Sequence, residues 1–231
     1  MPSTTDLTSI LADEQDALAA ETRLSKVPPY VAVHDMGQVA TTPSIFRNDH
    51  PATVRPLANA RGGSMIVDWP SLSSKALWID LNADKHDNYY KTDYVLFLNT
   101  EYQLGMDNIP ETFDVDHLYN EARARNYGLR YVRLALVHYR VNRSHGSGPE
   151  KDVTRNEELR SPGRPKQMEE LISMKYFGFL PPLRSDPRDQ EVQAYAAFAQ
   201  SKLGLDPDAV RDSIRYLRKK ASTPWARKTS K

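Results

Sequence analysis

The run Leu129-Arg130-Tyr131-Val132-Arg133-Leu134-Ala135-Leu136-Val137 limits what this chain can fold into more than any other stretch. Val132, Leu134 and Leu136 recur at period two, which predicts a β-strand from Arg130 to His138, buried on at least one side. Such a strand needs partners, and the flanking sequence offers them. Upstream lies Phe113-Asp114-Val115-Asp116-His117, extended in character. Downstream lies Val141-Asn142-Arg143-Ser144-His145-Gly146. If a helix begins at Val141, Asn142 and His145 lie three apart on one face. The expected unit is therefore two strands and a helix. A carboxylate and an imidazole sit side by side at the end of the first strand, and a carboxamide follows the second. No acidic residue occurs between Glu121 and Gly146, while Arg123, Arg125, Arg130, Arg140 and Arg143 accumulate.

These residue types suit one chemistry. Cleaving a phosphodiester needs a base for water, a cation to offset phosphate charge, and support for the leaving oxygen. An imidazole titrates near neutral pH, so His117 is the candidate base. A carboxylate of pKa about 4 is a weak base at neutral pH but a good hard ligand, which suits Asp116. The Asn142 side-chain oxygen is a second hard donor. Neighbouring residues of a strand point to opposite faces, so Asp116 and His117 converge only if the strand ends or turns there.

Asp114-Val115-Asp116-His117, a following strand, and then Val141-Asn142-Arg143-Ser144 resemble the HNH nucleases, the ββα-metal superfamily. The similarity is greatest to the HNH domain of CRISPR effector nucleases and to compact HNH endonucleases, and it covers the middle fifth of the chain. It implies an α+β fold with a ββα-metal core. It assigns His117 as general base, and Asp116 and Asn142 as holders of one divalent ion, Mg²⁺ or alternatively Mn²⁺. Asn142 and Arg143 join the catalytic set, and His145 joins the metal set. Two features depart from the family. Arg133 stands where its middle Asn is expected, and the chain has no cysteine for a structural zinc. The Arg133 departure supports a rival of another class, a non-catalytic nucleic-acid-binding or structural protein on a degenerate HNH fold.

The remaining sequence divides by composition. Residues 1–28 read as an N-terminal helical arm, with a helix over 5–24 that presents Leu7, Ile10, Leu11 and Leu18 and ends at Pro28-Pro29. Residues 29–110 read as a strand-rich segment packed on the core. Its expected strands are Tyr30–Val33, Ser64–Val67, Ala76–Asp80 and Tyr94–Leu98. Arg61-Gly62-Gly63-Ser64 reads as a turn between strands rather than a phosphate loop, since no phosphate-loop helix follows. Asp84-Lys85-His86-Asp87-Asn88 is a polar loop, from which His86, like Asp80, is a candidate neighbour of His117. Residues 111–160 carry the HNH-like core. Residues 161–231 form a helical region with a basic tail, with helices expected over 167–176, 190–203 and 207–220.

Overall charge is nearly balanced at +1, but its distribution is not. Residues 1–24 hold five acids and one base, and residues 207–231 hold eight bases and two acids. That asymmetry points to a polyanion partner at the basic end. Arg123, Arg125, Arg130, Arg140, Arg215, Arg218 and Lys219 are expected to follow a phosphate path, with DNA preferred over RNA by family analogy. No run is apolar enough to cross a bilayer. A cytoplasmic protein is expected, with export by a signal-less machine left open. The family chemistry also suits an antibacterial effector toxin, which would have an immunity protein as partner.

Overall fold

The computed structural model describes residues 4–25, 27–41, 52–70, 73–84, 88–146, 164–182 and 189–222. His86 and the tail bases Arg227, Lys228 and Lys231 lie outside them. The protein is α+β, with an antiparallel sheet. Its helices are α1 (Thr4–Ser25), α2 (Met36–Thr41), α3 (Tyr89–Tyr102), α4 (Glu121–Asn126), α5 (Tyr139–Gly146), α6 (Glu170–Tyr176), α7 (Gln190–Phe198) and α8 (Pro207–Ser222). A π-helical segment, Ala199–Leu203, extends α7. The strands are β1 (Tyr30–Val33), β2 (Thr53–Pro56), β3 (Met65–Trp69), β4 (Ser74–Asp80), β5 (Phe113–His117), β6 (Tyr131–His138) and β7 (Lys166–Gln167).

β6 is the strand predicted from the period-two run, and it carries the sheet. Its first residues pair with β4 (Trp78↔Arg133, Ile79↔Val132) and with β1 (Ala32↔Val132, Val33↔Tyr131). Its remainder pairs with β5, from Phe113↔His138 to His117↔Leu134. β2 and β3 continue the sheet beyond β4, and β7 continues it beyond β1. Val132 through Val137 are all buried, which explains why both alternating sets of this run are largely apolar.

Two expected elements differ. Tyr94–Leu98 is not a strand but part of α3, because Tyr90, Tyr94, Phe97 and Leu98 recur at helical spacing and the last three are buried. The helix expected from Gln167 starts at Glu170, and Lys166–Gln167 instead adds β7 to β1. Asp93, at the start of α3, fills the turn at residues 61–64. Its carboxylate accepts from the backbone N–H groups of Arg61 and Gly62 and from Ser64 Oγ. A Cβ at Gly62 would lie 2.4 Å from Ile79 Cδ1 and 2.9 Å from Asp93 Oδ2, so the turn requires glycine there. This anion cradle is occupied by the protein's own carboxylate.

The arm α1 docks on the body. Leu7 and Leu18 enter the main core, and Ala19 enters a second one built from α6, α7, the π segment and α8. At the centre of the buried stripe stands not a leucine but Glu14, 9% exposed and 3.4 Å from Tyr102 Oη. Burial raises its pKa from 4.5 to about 7, against the pull of Arg133 and its hydrogen bonds to Tyr102 and Tyr94. The folded state therefore holds this proton where the unfolded chain has lost it. Stability falls as pH rises from about 4.5 to 7, by roughly 3 kcal/mol at the upper end. Glu14→Gln should remove that dependence and raise the melting temperature at pH 8 relative to wild type. Parallel pH–stability curves for the two proteins would show that Glu14 does not ionise on unfolding.

Candidate functional site

The site grows from β5, whose geometry follows from its ladder with β6. The pairing extends past His117, since Leu118 N–H donates to Arg133 O at 2.9 Å. β5 ends at His117, and the chain bends at Leu118 and Tyr119. Within the strand, alternation sends Asp114 and Asp116 to one face and Phe113 and Val115 to the other. At the strand's end Asp116 and His117 share neighbours: Tyr90, whose pKa burial and then the Asp116 charge raise, packs on the His117 ring, and Lys175, paired with Asp116, also acts on His117.

On the aspartate face, α5 follows β6 directly. It begins at Tyr139, two residues earlier than expected, where Tyr139 N–H donates to Thr112 O beside β5. This brings Asn142 onto the first strand, and its Nδ2 donates to Asp114 Oδ2 at 3.2 Å. Asp116 has a partner that the sequence reading missed. Lys175 of α6, 1% exposed, places Nζ 2.5 Å from Asp116 Oδ2. Among the described residues, no three His, Asp or Glu side chains are grouped to hold a metal ion. The donors that fit a small hard cation are oxygens alone: Asp116, Asn142 Oδ1 and, alongside, Asp114. His145 does not join them. It is fully buried, and its Nε2 lies 2.9 Å from the Phe179 carbonyl oxygen, which can only accept, so Nε2 carries the proton. That bond ties α5 to the segment after α6.

At the end of β5, the His117 ring packs 4.6 Å from the Tyr90 ring of α3. Its Nε2 is shielded from solvent and has no hydrogen-bond partner among the described residues. Burial lowers its pKa from 6.5 to about 4, opposed by Glu121 and Asp84 and reinforced by Lys175 and Arg125. The imidazole is thus neutral at physiological pH. Asp84, whose own pKa burial raises, accepts from Tyr89 N–H at 2.8 Å and anchors the start of α3. Asp80, the other candidate neighbour, is held by Arg130 at 2.9 and 2.6 Å. Three residues after His117, Asn120 caps α4 by accepting from Arg123 N–H, which steadies the loop leaving β5. Arg133, at the position expected to brace that loop, is buried and stacks on Trp69 instead.

A cleft of about 860 Å³ opens beside Asp114, lined also by Lys91 of α3, Glu111, Tyr139 and Arg143. Arg143 and Arg140 lie 5.3 and 5.8 Å from the centre of the Tyr139 ring, and both are exposed. They remain candidates for phosphate. Arg123 does not: it is 4% exposed, held by Glu169 and stacked on Tyr119. Arg125 pairs with Glu121 and Arg215 with Asp212, each with its side chain partly exposed. Arg215, Arg218 and Lys219 sit on α8, while its Val210, Ile214 and Leu217 are buried as expected.

Of the residues missed, Lys175 had a signal: a single cation within the apolar run Leu171-Ile172-Ser173-Met174-Lys175-Tyr176-Phe177. Asp114 had one too, as the first acid of an Asp-x-Asp pair whose members share a strand face. Compared with protein-family models, with curated proteins and with solved structures, the chain matches none. No helix among the described residues is long and apolar enough to cross a membrane.

The depressed pKa of His117 has a measurable consequence. Between pH 6.5 and about 4 the unfolded imidazole is protonated and the folded one is not, so stability falls as pH drops through that range, by roughly 3 kcal/mol. The imidazole signals of His117 in an NMR titration should stay those of a neutral ring down to about pH 5. A midpoint near 6.5 would place the ring in water.

Proposed function

We propose that this protein is an HNH-type endonuclease that hydrolyses phosphodiester bonds of DNA with a divalent ion, Mg²⁺ or Mn²⁺. The observation that carries this reading is the contact from Asn142 of α5 to Asp114 of β5. It closes two antiparallel strands and the helix after them into one ββα unit, with hard oxygen donors at its seam. In this reading Asp116 and Asn142, with Asp114 beside them, would hold the ion, which supplies charge neutralisation at the phosphate. Arg143 and Lys91, at the cleft, attract the polyanion, and Arg140 extends that surface.

His117 acts as the base. Burial keeps its imidazole unprotonated at neutral pH, and an approaching phosphate would raise its proton affinity. His117 closes β5 next to Asp116, and Lys175 acts on both residues. Such a nuclease also suits an antibacterial effector, whose immunity protein would cover the cleft.

One observation favours a second reading. The Lys175 ammonium already neutralises Asp116, and the His117 Nε2 is shielded with no hydrogen-bond partner among the described residues. A non-catalytic nucleic-acid-binding protein on a degenerate HNH fold would look this way.

Supercoiled plasmid separates the two. The nuclease reading predicts nicking by the pure protein with Mg²⁺ or Mn²⁺, none with EDTA, and a loss of ~100-fold or more in His117→Ala. Retained DNA binding without nicking under any ion would favour the second reading. Full activity in His117→Ala would remove His117 from the chemistry.

A further inference from the structure

Lys175 is unusual in its placement. Withdrawing an ammonium from water costs several kcal/mol unless a partner offsets it. Every residue of α6 from Leu171 to Tyr176 is buried, and Lys175 is 1% exposed. Its Nζ meets Asp116 Oδ2 at 2.5 Å, on the strand face that also carries Asp114 and Asn142's contact.

The helix that brings it there is fixed at both ends. Glu169, at the N-cap, pairs with Arg123 of α4. Beyond the C-terminus, Phe179 N–H donates to Met174 O, and the Phe179 carbonyl accepts from His145 of α5. Gln15 of α1 donates to Tyr176 O at 2.6 Å. Lys175 therefore cannot leave Asp116 by a general loosening of α6 without giving up contacts to three other helices.

The geometry points to Lys175 as a resident cation that competes with a divalent ion for Asp116. With the ammonium on Asp116 Oδ2, a divalent ion at the remaining oxygen would share the carboxylate with a second cation, and the two like charges repel. Lys175 thereby sets how readily the site takes a metal, and the folded protein holds the aspartate face neutralised from within. The inference rests on the reading of Asp116 and Asn142 as ion ligands, and it adds a control on that site.

The test is Mn²⁺ binding by the full-length protein, followed by calorimetry and by the thermal shift the ion produces. Wild type should show weak binding and almost no shift at millimolar Mn²⁺. Lys175→Met, which keeps the side-chain volume and removes the charge, should bind at least ~10-fold tighter and gain stability from the ion. Lys175→Met combined with Asp116→Asn should lose that gain. Equal Mn²⁺ affinity in wild type and Lys175→Met would overturn the proposal. So would tight binding and a large thermal shift in wild type, a result that does not require the variant to fold. Nicking assays keep the two readings apart. Ion competition without nicking retains the resident cation and removes the nuclease. Mn²⁺-dependent nicking with tight wild-type binding does the reverse.

Discussion

The structure depends on one strand satisfying three neighbours. β6 pairs with β1 and β4 through its first residues and with β5 through the rest, so its eight residues hold together the arm-side sheet and the candidate site. A strand buried along nearly its whole length cannot slip register by one residue without exchanging its two faces. The register fixed by Val132, Leu134 and Leu136 consequently fixes β5 as well. That in turn decides which side of the strand each aspartate occupies.

The electrostatics follow from that placement. Two carboxylates on one face, brought toward a buried helix, need positive charge, and Lys175 supplies it at Asp116. At the end of β5 the imidazole lies against Tyr90, where burial outweighs the nearby Glu121 and Asp84 and keeps it neutral. Buried titratable groups recur elsewhere. Glu14 sits on the buried face of α1 with its proton retained, and Asp93 is satisfied by three donors of the turn before β3. The fold thus places acidic groups inside and satisfies each by a different means: a lysine, a proton, or a cradle of N–H and O–H donors.

How much was legible in the sequence varies with the physics involved. β6 was readable because period-two alternation is a local property, and so was the stripe of α8. Tyr94–Leu98 misled because a short apolar run fits a strand and a buried helix equally; Tyr90, four residues before Tyr94, was the distinguishing residue. In the site, the order of strand, strand and helix was legible. The partners were not. Lys175 lies 59 residues from Asp116 in the chain, and Asn142 lies 28 from Asp114, distances at which no local pattern reports contact. Arg123 looked like one more base in an Arg-rich run; only tertiary packing shows it enclosed by Tyr119 and Glu169.

The central claim is that Asp116 and Lys175 form one electrostatic unit joining β5 to α6. A double-mutant cycle with Asp116→Asn and Lys175→Met, read by chemical denaturation, tests it most directly. Asp116→Asn leaves the buried Lys175 ammonium without this carboxylate and should lose roughly 3 kcal/mol, whereas Lys175→Met leaves a partly exposed carboxylate and should lose less. The double variant should be destabilised by far less than the sum, with a coupling of at least ~1.5 kcal/mol. Additive losses, with no coupling between the two positions, would contradict the account.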